Sequence, residues 1–312
     1  MRYHDVRATG AAWAARGVSE TAAERRGRLR FVSWIGAIST GLVVAVVSSQ
    51  PTHAGPKEIG PQRFAIVCAG APHDLQHYRW YWGATSGMFD VLVKRYGYDP
   101  ANIYFLFCDT HNNDPRVDFV ATRENLRRVF QELSERMTPE DTFFGFFVGH
   151  GNRTDGSSNY ELTDGRVRDA ELDRWRRSLR AHVQTYVFTP CHTGGFARVL
   201  GRQAGTVVIT SCQVDEVNQA GFAEAIRDAL NHAPGADADG DGRVSIGEAY
   251  NFAVEAVRQW YAERGRKLTE HCQIDDNGDG QSSYGRLPTA GHGRIALKRF
   301  LAEQPRTERK RR

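Results

Sequence analysis

One histidine and one cysteine in this chain each follow an apolar run and lie close to glycine, a pattern suited to acyl transfer. His150 stands between Gly149 and Gly151, and Cys191 follows 41 residues later. A thiolate is an effective nucleophile, and an imidazole within reach can take its proton and later protonate a leaving amine. Because nearby glycines leave backbone N–H groups accessible, we expect the amides of Gly151 and Cys191 to stabilise an oxyanion.

Other interpretations exist for each residue. Taken singly, a histidine such as His150 is more often a non-catalytic residue at the rim of a sheet, and a cysteine such as Cys191 is more often a buried structural thiol. Their joint placement at strand ends favours catalysis. His192 adjoins the cysteine, yet adjacent residues on an extended or turning backbone point different ways. If Cys212 were the nucleophile instead, replacing Cys191 by alanine would leave activity intact.

Acidic residues between 237 and 248 have the spacing of a calcium-binding EF-hand loop. Oxygen-bearing side chains fill positions 1, 3, 5, 9 and 12, and glycine fills position 6. Position 7 contributes only its carbonyl. The sequence therefore predicts a structural Ca²⁺, and no organic cofactor, bound by Asp237, Asp239, Asp241, the carbonyl of Arg243, Ser245 and Glu248. The alternative is a solvated acidic turn.

These residues need a scaffold, and five short apolar runs predict its strands. The runs lack polar alternation and are separated by helical patterns, which indicates a parallel sheet covered on both faces. The predicted strands are 63–70, 102–108, 142–148, 183–189 and 206–210. The predicted helices are 80–96, 122–137, 169–180, 222–231 and 246–263. We therefore predict an α/β fold with three α/β/α layers and a mostly parallel sheet, whose carboxyl edge carries His150 and Cys191.

The N-terminus has the order of a secretory signal: a basic region, the apolar run 31–48, then small residues at Thr52 and Ala54. We predict that residues 1–54 are a signal peptide or, if uncleaved, a membrane anchor, because 18 apolar residues is the lower limit for a span. The protein is then exported, and either secreted, periplasmic or membrane-anchored. A linker at 55–62, a catalytic domain at 63–300 and a basic disordered tail at 301–312 complete the predicted organisation.

Charge and cysteine content refine this prediction. The leader holds seven arginines and three acids, so its net charge of +4 equals the net charge of the chain. The exported part is balanced, which removes charge as a reason to expect nucleic-acid binding. Five cysteines are an odd number, so at least one is free or pairs with another chain.

The segments 146–151 (FFVGHG) and 188–195 (FTPCHTGG) together resemble the legumains, caspases and related bacterial peptidases. Caspases place the histidine about 50 residues before the cysteine. The similarity covers most of residues 60–265 and is closer to legumains than to caspases. It implies a caspase-like fold and a cysteine endopeptidase that acts on peptide or protein substrates.

The resemblance also implies a substrate pocket. Legumains carry a glutamate two residues before the cysteine, where this chain has Thr189, and their pocket arginine is matched by Arg79. The segment 211–218 (SCQVDEVN) occupies the place where extended substrate pairs as an added strand. We expect the substrate to contact Arg79, Thr189, Ser211, Asp215 and Glu216, one of the two acids meeting a basic side chain. Exposed loop acids are the alternative, and Thr189 argues against carrying over specificity for asparagine.

We therefore predict an exported cysteine endopeptidase that uses Cys191 and His150 and contains structural calcium. One alternative is a transpeptidase that uses the same site and passes the acyl group to an amine. Another, from a different class, is a calcium-dependent binding module without catalysis. Reaction of Cys191 with an acyloxymethyl ketone, blocked by His150→Ala, would exclude an inert site.

Overall fold

The computed structural model describes residues 60–111, 113–289 and 291–302. The predicted leader at 1–54, most of the predicted linker and the tail from residue 303 lie outside this part of the chain. Within it, no helix combines the length and the apolar character that crossing a membrane requires.

The apolar runs form strands of one large sheet. The strands of the described residues are β1 Arg63–Ala69, β2 Ile103–Phe107, β3 Phe119–Val120, β4 Thr142–Val148, β5 Gly151–Thr154, β6 Ser157–Leu162, β7 Gly165–Arg168, β8 Val183–Phe188, β9 Thr206–Thr210, β10 Gln273–Asp275 and β11 Ser283–Tyr284. The large sheet has the order β11-β10-β9-β8-β4-β1-β2-β3, in which only β10 and β11 run antiparallel to their neighbours. All five predicted strands are present in it.

Six α-helices in the described part of the chain cover this sheet. They are α1 Leu75–Lys94, α2 Arg123–Arg136, α3 Asp169–Arg176, α4 Gly194–Leu200, α5 Phe222–Leu230 and α6 Ile246–Glu263. Helix α1 begins five residues before its predicted start because the side chain of Asp74 caps it, accepting a hydrogen bond from the amide of His77. Helix α3 ends at Arg176 rather than at the predicted residue 180. Beyond this end, the amide of Leu179 donates to the Arg176 carbonyl and forms a tighter turn.

Alternate side chains of the central strands enter two cores, one on each face of the sheet. In β1, Ala65 and Val67 pack with α1, α5 and α6, whereas Phe64 and Ile66 pack with α2, α3 and α4. A strand with apolar residues on both faces needs a cover on both. The prediction of a three-layer α/β/α domain with a mostly parallel sheet is thus confirmed.

A second sheet, which the sequence did not predict, follows His150. Strands β5, β6 and β7 form an antiparallel meander between β4 and α3. Its central strand is polar, yet Ser158, Asn159 and Tyr160 are buried. No apolar run marks this sheet, because the burial of β6 comes from contacts with distant segments, including the turn that carries Cys191.

Candidate active site

The structure brings His150 and Cys191 together at one edge of the sheet. Strands β4 and β8 are parallel neighbours, with Phe147 paired to Phe188. His150 follows the end of β4 and Cys191 follows the end of β8, so both lie at the carboxyl edge, where ligands bind in open parallel sheets. Both side chains line one cavity of about 740 Å³.

The sulfur of Cys191 is held by the backbone of Asn218. The Asn218 amide donates to Sγ at 3.3 Å, and Sγ lies 3.8 Å from the Asn218 carbonyl oxygen as a weak donor. Burial raises the pKa of the thiol, the Asn218 amide lowers it, and the carboxylates of Glu270 and Glu161 raise it further. The thiol is therefore protonated at rest and needs a base.

The ring of His150 is fixed by other rings. It stacks on His73 with centroids 3.6 Å apart and an interplanar angle of 14°, and it also contacts His77 and Tyr81. Its Nε2 is buried and has no hydrogen-bond partner among the described residues. Burial first, then the neighbouring His73 and His77, lower the pKa of His150 to about 4. His150 is thus neutral near pH 7, the state in which it can accept a proton.

Gly151 allows β5 to approach the turn that carries Cys191, residues 190–193, which we call the cysteine turn. A β-carbon there would lie 2.3 Å from the Cys191 carbonyl oxygen and 2.9 Å from Cβ of Pro190. The amide of Glu161 donates to the carbonyl of His150, so Gly151, which faces Tyr160, occupies a non-hydrogen-bonded position of the β5–β6 pair. Its N–H therefore points away from β6 and is available for an oxyanion.

Ser158 of β6 forms hydrogen bonds with the backbone of the cysteine turn and of the residues that follow it. The hydroxyl of Ser158 donates to the carbonyl of His192 and accepts from the amide of Gly195 at 3.0 Å. The amide of Ser158 in turn donates to Asp169 at 3.1 Å. Thr193 closes the turn by donating to the Pro190 carbonyl at 3.0 Å. Sequence reasoning missed these contacts because Ser158 lies in a strand without a recognisable pattern.

The two alternative residues have other partners. His192 has a φ of 61°, and its Nδ1 lies 3.2 Å from the carbonyl oxygen of Val214. Cys212 is fully buried, and its sulfur contacts the carbonyls of Pro190 and Glu216. Cys212 therefore supports the turn from inside, whereas Cys191 faces the cavity.

The predicted substrate residues separate into two groups. Thr189 lines the cavity, although its hydroxyl is bonded to the carbonyl of Phe147 at 3.2 Å. Ser211 is fully buried and donates to the carbonyls of Thr189 and Pro190, so it braces the turn without reaching the cavity. Arg79 is exposed and lies outside the cavity lining.

The two predicted acids also lie outside the cavity lining. Asp215 is exposed. The carboxylate of Glu216 accepts from the amide of Gln213 at 3.1 Å and is paired with His271, accepting from its amide at 2.8 Å and lying 2.5 Å from its Nδ1. Glu216 thus ties the segment after β9 to the residues before β10.

The cavity is lined by three helices and by the loops that follow the central strands. His77, Trp80, Tyr81 and Ala84 line it from α1, spaced as one helical face. The opposite wall consists of Asn218, Gln219, Ala220, Gly221, Ala223, Glu224, Trp260, Arg264 and Arg266. Burial raises the pKa of Glu224. The cavity thus combines two tryptophans with groups of both charges, a surface suited to a peptide.

The predicted calcium loop has converging acidic side chains. Asp237, Asp239 and Glu248 each offer a carboxylate oxygen, and these atoms lie within 4.8 Å of one another. The loop turns at Gly240 and Gly242, both with positive φ. Asp241 is not among the converging carboxylates: it is exposed and accepts from the amide of Arg243 at 2.8 Å. Ser245 caps α6 in a capping box with Glu248. The residues present fit a calcium ion.

The fold and the site resemble those of caspase-like cysteine peptidases. More particularly, residues 83–199, which include His150 and Cys191, match the family model described as metacaspase, peptidase C14 domain. The predicted resemblance to caspase-like cysteine peptidases is confirmed, while the finer likeness to legumains stays a prediction.

Two curated proteins with similar sequences are metacaspases. Metacaspase-1 of Kluyveromyces lactis is 29% identical over 171 residues, covering 47% of this chain and 38% of that protein. Metacaspase-1B of Aspergillus fumigatus is 31% identical over 125 residues, covering 35% of this chain and 30% of that protein. The chain thus spans about a third of the length of these curated relatives.

Solved structures give similarities at low sequence identity. Protein GSU0716 of Geobacter sulfurreducens superposes with a TM-score of 0.45 at 14% identity, covering 74% of this chain and 96% of that one. Caspase-1 of Spodoptera frugiperda has a TM-score of 0.47 at 13% identity, covering 70% of this chain and 87% of that one.

Proposed function

We propose that this protein is an exported cysteine endopeptidase that hydrolyses peptide bonds with Cys191 as nucleophile and His150 as general base and acid. One observation carries the proposal: the two side chains follow adjacent parallel strands and line the same cavity. A peptide or protein segment is the proposed substrate.

The geometry supports a two-step acyl transfer. As the sulfur attacks the scissile carbonyl carbon, His150 accepts the thiol proton. The amides of Gly151 and Cys191 stabilise the oxyanion, and collapse breaks the C–N bond while His150 protonates the leaving amine. Water then attacks the thioester, giving its proton to His150, and the C–S bond breaks to release the acid and the thiol.

The test is hydrolysis of a broad peptide library by the full chain, under reducing conditions with calcium. We expect Cys191→Ala and His150→Ala to lower turnover by several orders of magnitude, because the two residues act as a unit. Cys108→Ala is the matched control, a partly exposed thiol outside the cavity lining, and should retain activity. Cleavage that persists in Cys191→Ala would refute the assignment.

We further propose that the loop from Asp237 to Glu248 binds a structural calcium ion. When bound, the ion compensates the converging carboxylates. Glu248 belongs to the loop and also caps α6, accepting from the amide and hydroxyl of Ser245. Calcium would therefore fasten the start of α6, a helix that runs from this loop to the cavity wall at Trp260.

Thermal unfolding tests this calcium site. Calcium at a hundred times its Kd should add about 2.7 kcal/mol of stability, which for a domain of this size raises Tm by roughly 5–11 °C. Glu248→Gln should abolish the increase, whereas Glu255→Gln on the same helix should keep it. An unchanged Tm of the wild-type protein at millimolar calcium would contradict the proposal.

Export rests on the sequence of the leader alone. Fractionation of cells that express the full chain, followed by N-terminal sequencing of the exported protein, tests it. Cleavage after residue 54 supports a signal peptide, an intact N-terminus in the membrane fraction supports an anchor, and cytoplasmic protein contradicts export.

A further inference from the structure

A buried acid, Glu270, lies behind the cavity wall. It is 1% exposed and precedes β10, about 50 residues from the segment that it contacts. Its Oε2 accepts hydrogen bonds from the amides of Gln219 and Ala220 at 2.9 and 3.1 Å, and a longer one from the hydroxyl of Tyr261 at 3.5 Å. Its Oε1 is buried and has no partner among the described residues.

Such a carboxylate is costly to bury. Removing an ionised group from water is unfavourable unless hydrogen bonds replace the lost hydration. Two amides and the Tyr261 hydroxyl compensate one oxygen here, and no group in the described chain is bonded to the other, so burial raises the pKa of Glu270 to about 7. An apolar residue would fill this space at lower cost but would leave both amides unsatisfied.

The segment that Glu270 holds is the one that contacts the nucleophile. Asn218 comes directly before the two bonded amides, and its own amide donates to the Cys191 sulfur at 3.3 Å. The side chain of Asn218 is also fixed, donating to the carbonyl of Thr189 at 2.5 Å. The side chain of Asn218 is thus anchored to Thr189, and the amides of the two residues that follow it are anchored to Glu270.

We propose that Glu270 is a positioning residue: by holding the amides of Gln219 and Ala220, it keeps the Asn218 N–H on the sulfur of Cys191. The inference rests on the proposed role of Cys191 as nucleophile. The Asn218 N–H stabilises the thiolate that forms during attack, because a donor favours the charged form of its acceptor. The negative charge of Glu270 acts in the opposite direction on the same thiol.

The positioning effect of Glu270 and the effect of its negative charge can be separated with substitutions of similar size. Glu270→Gln and Glu270→Met are both neutral and similar in volume, but only glutamine can accept the two N–H bonds. Their difference therefore reports positioning without the change in charge. Glu270→Ala, which leaves room for water beside the amides, is measured alongside in case Glu270→Met does not fold. Glu263→Gln, an exposed acid at the end of α6, is the control.

The readout is the thiol pKa of Cys191, from the rate of iodoacetamide alkylation against pH, followed by mass spectrometry of the Cys191 peptide. Cys108, also partly exposed, serves as an internal reference. We expect Glu270→Met and Glu270→Ala to give thiol pKa values about one to two pH units above that of Glu270→Gln, since a hydrogen bond to a charged group contributes about 1.5–3 kcal/mol.

Equal thiol pKa values in the glutamine, methionine and alanine variants would overturn the inference, even if their melting temperatures differ, because a purely structural role leaves the thiol unchanged. Alkylation requires no peptide turnover. The inference can therefore fail while hydrolysis is observed, and it can hold in a protein that cleaves none of the peptides tested.

Discussion

His73, which stacks on the proposed general base His150, should control the pH below which activity is lost. Replacing His73 with phenylalanine keeps a flat ring over His150 but removes the ionisable group. The positive charge of His73 opposes protonation of the His150 ring, and the two ring centroids lie 3.6 Å apart. The side chain of His73 is 62% exposed, so a water-like dielectric constant is appropriate.

Coulomb's law then gives the size of the effect. At this separation and a dielectric constant of about 80, two unit charges repel by about 1.2 kcal/mol, just under one pH unit. The pKa of His150 is lowered to about 4, so the base is neutral and active above that pH and protonated below it. Removing a cationic neighbour raises this pKa, and the acid limb of kcat/KM should move upward to about pH 5.

The assay is the pH dependence of kcat/KM in short reactions, with His182→Phe as a control for the loss of an exposed histidine remote from the cavity. Burial is the largest cause of the low pKa, and it persists in the variant. An acid limb that stays near pH 4 or moves lower would refute the electrostatic role of His73. A limb that moves to the ordinary histidine value would refute the dominance of burial.

Two further substitutions test packing. Gly151→Ala should lower kcat/KM about 100-fold or more, because the added β-carbon would meet the Cys191 carbonyl oxygen at 2.3 Å and displace the turn. The control Gly83→Ala should leave kcat/KM unchanged, because the space around Gly83 is open. Arg176→Ala should lower the free energy of unfolding by about 3 kcal/mol in urea titrations, since the arginine is 1% exposed and paired with Asp173. Arg177→Ala, 63% exposed on the same carboxylate, should cost less than about 1 kcal/mol, and equal losses would contradict the role of burial.

The sequence predicts the central sheet well because burial on both faces leaves an uninterrupted apolar run. It fails for β5 to β7, where polar residues are buried by tertiary contacts rather than by apolar periodicity. Ser158 illustrates the difference: in the sequence it belongs to a polar stretch, and in the structure it supports the cysteine turn. Local pattern contains no information about such long-range partners.

The same limit applies to the site. Strand ends alone place His150 and Cys191 at one edge of the sheet, but Asn218 and Glu270 reach the nucleophile through chain topology that no local motif reveals. Arg79 shows how helix register decides a contact. The cavity face of α1 carries residues 77, 80, 81 and 84, and position 79 falls on the opposite, exposed side.

The environment of the catalytic pair favours an uncharged resting state. Burial raises the pKa of Cys191 and lowers that of His150, so the thiol and the neutral imidazole are both preferred over a thiolate–imidazolium pair. An ion pair at rest would require the opposite order of pKa values. The proton must then move as the sulfur attacks, when the developing negative charge passes to the carbonyl oxygen opposite the amides of Gly151 and Cys191. On this reasoning the oxyanion amides and the Asn218 N–H, rather than a preformed thiolate, provide most of the electrostatic stabilisation of the transition state.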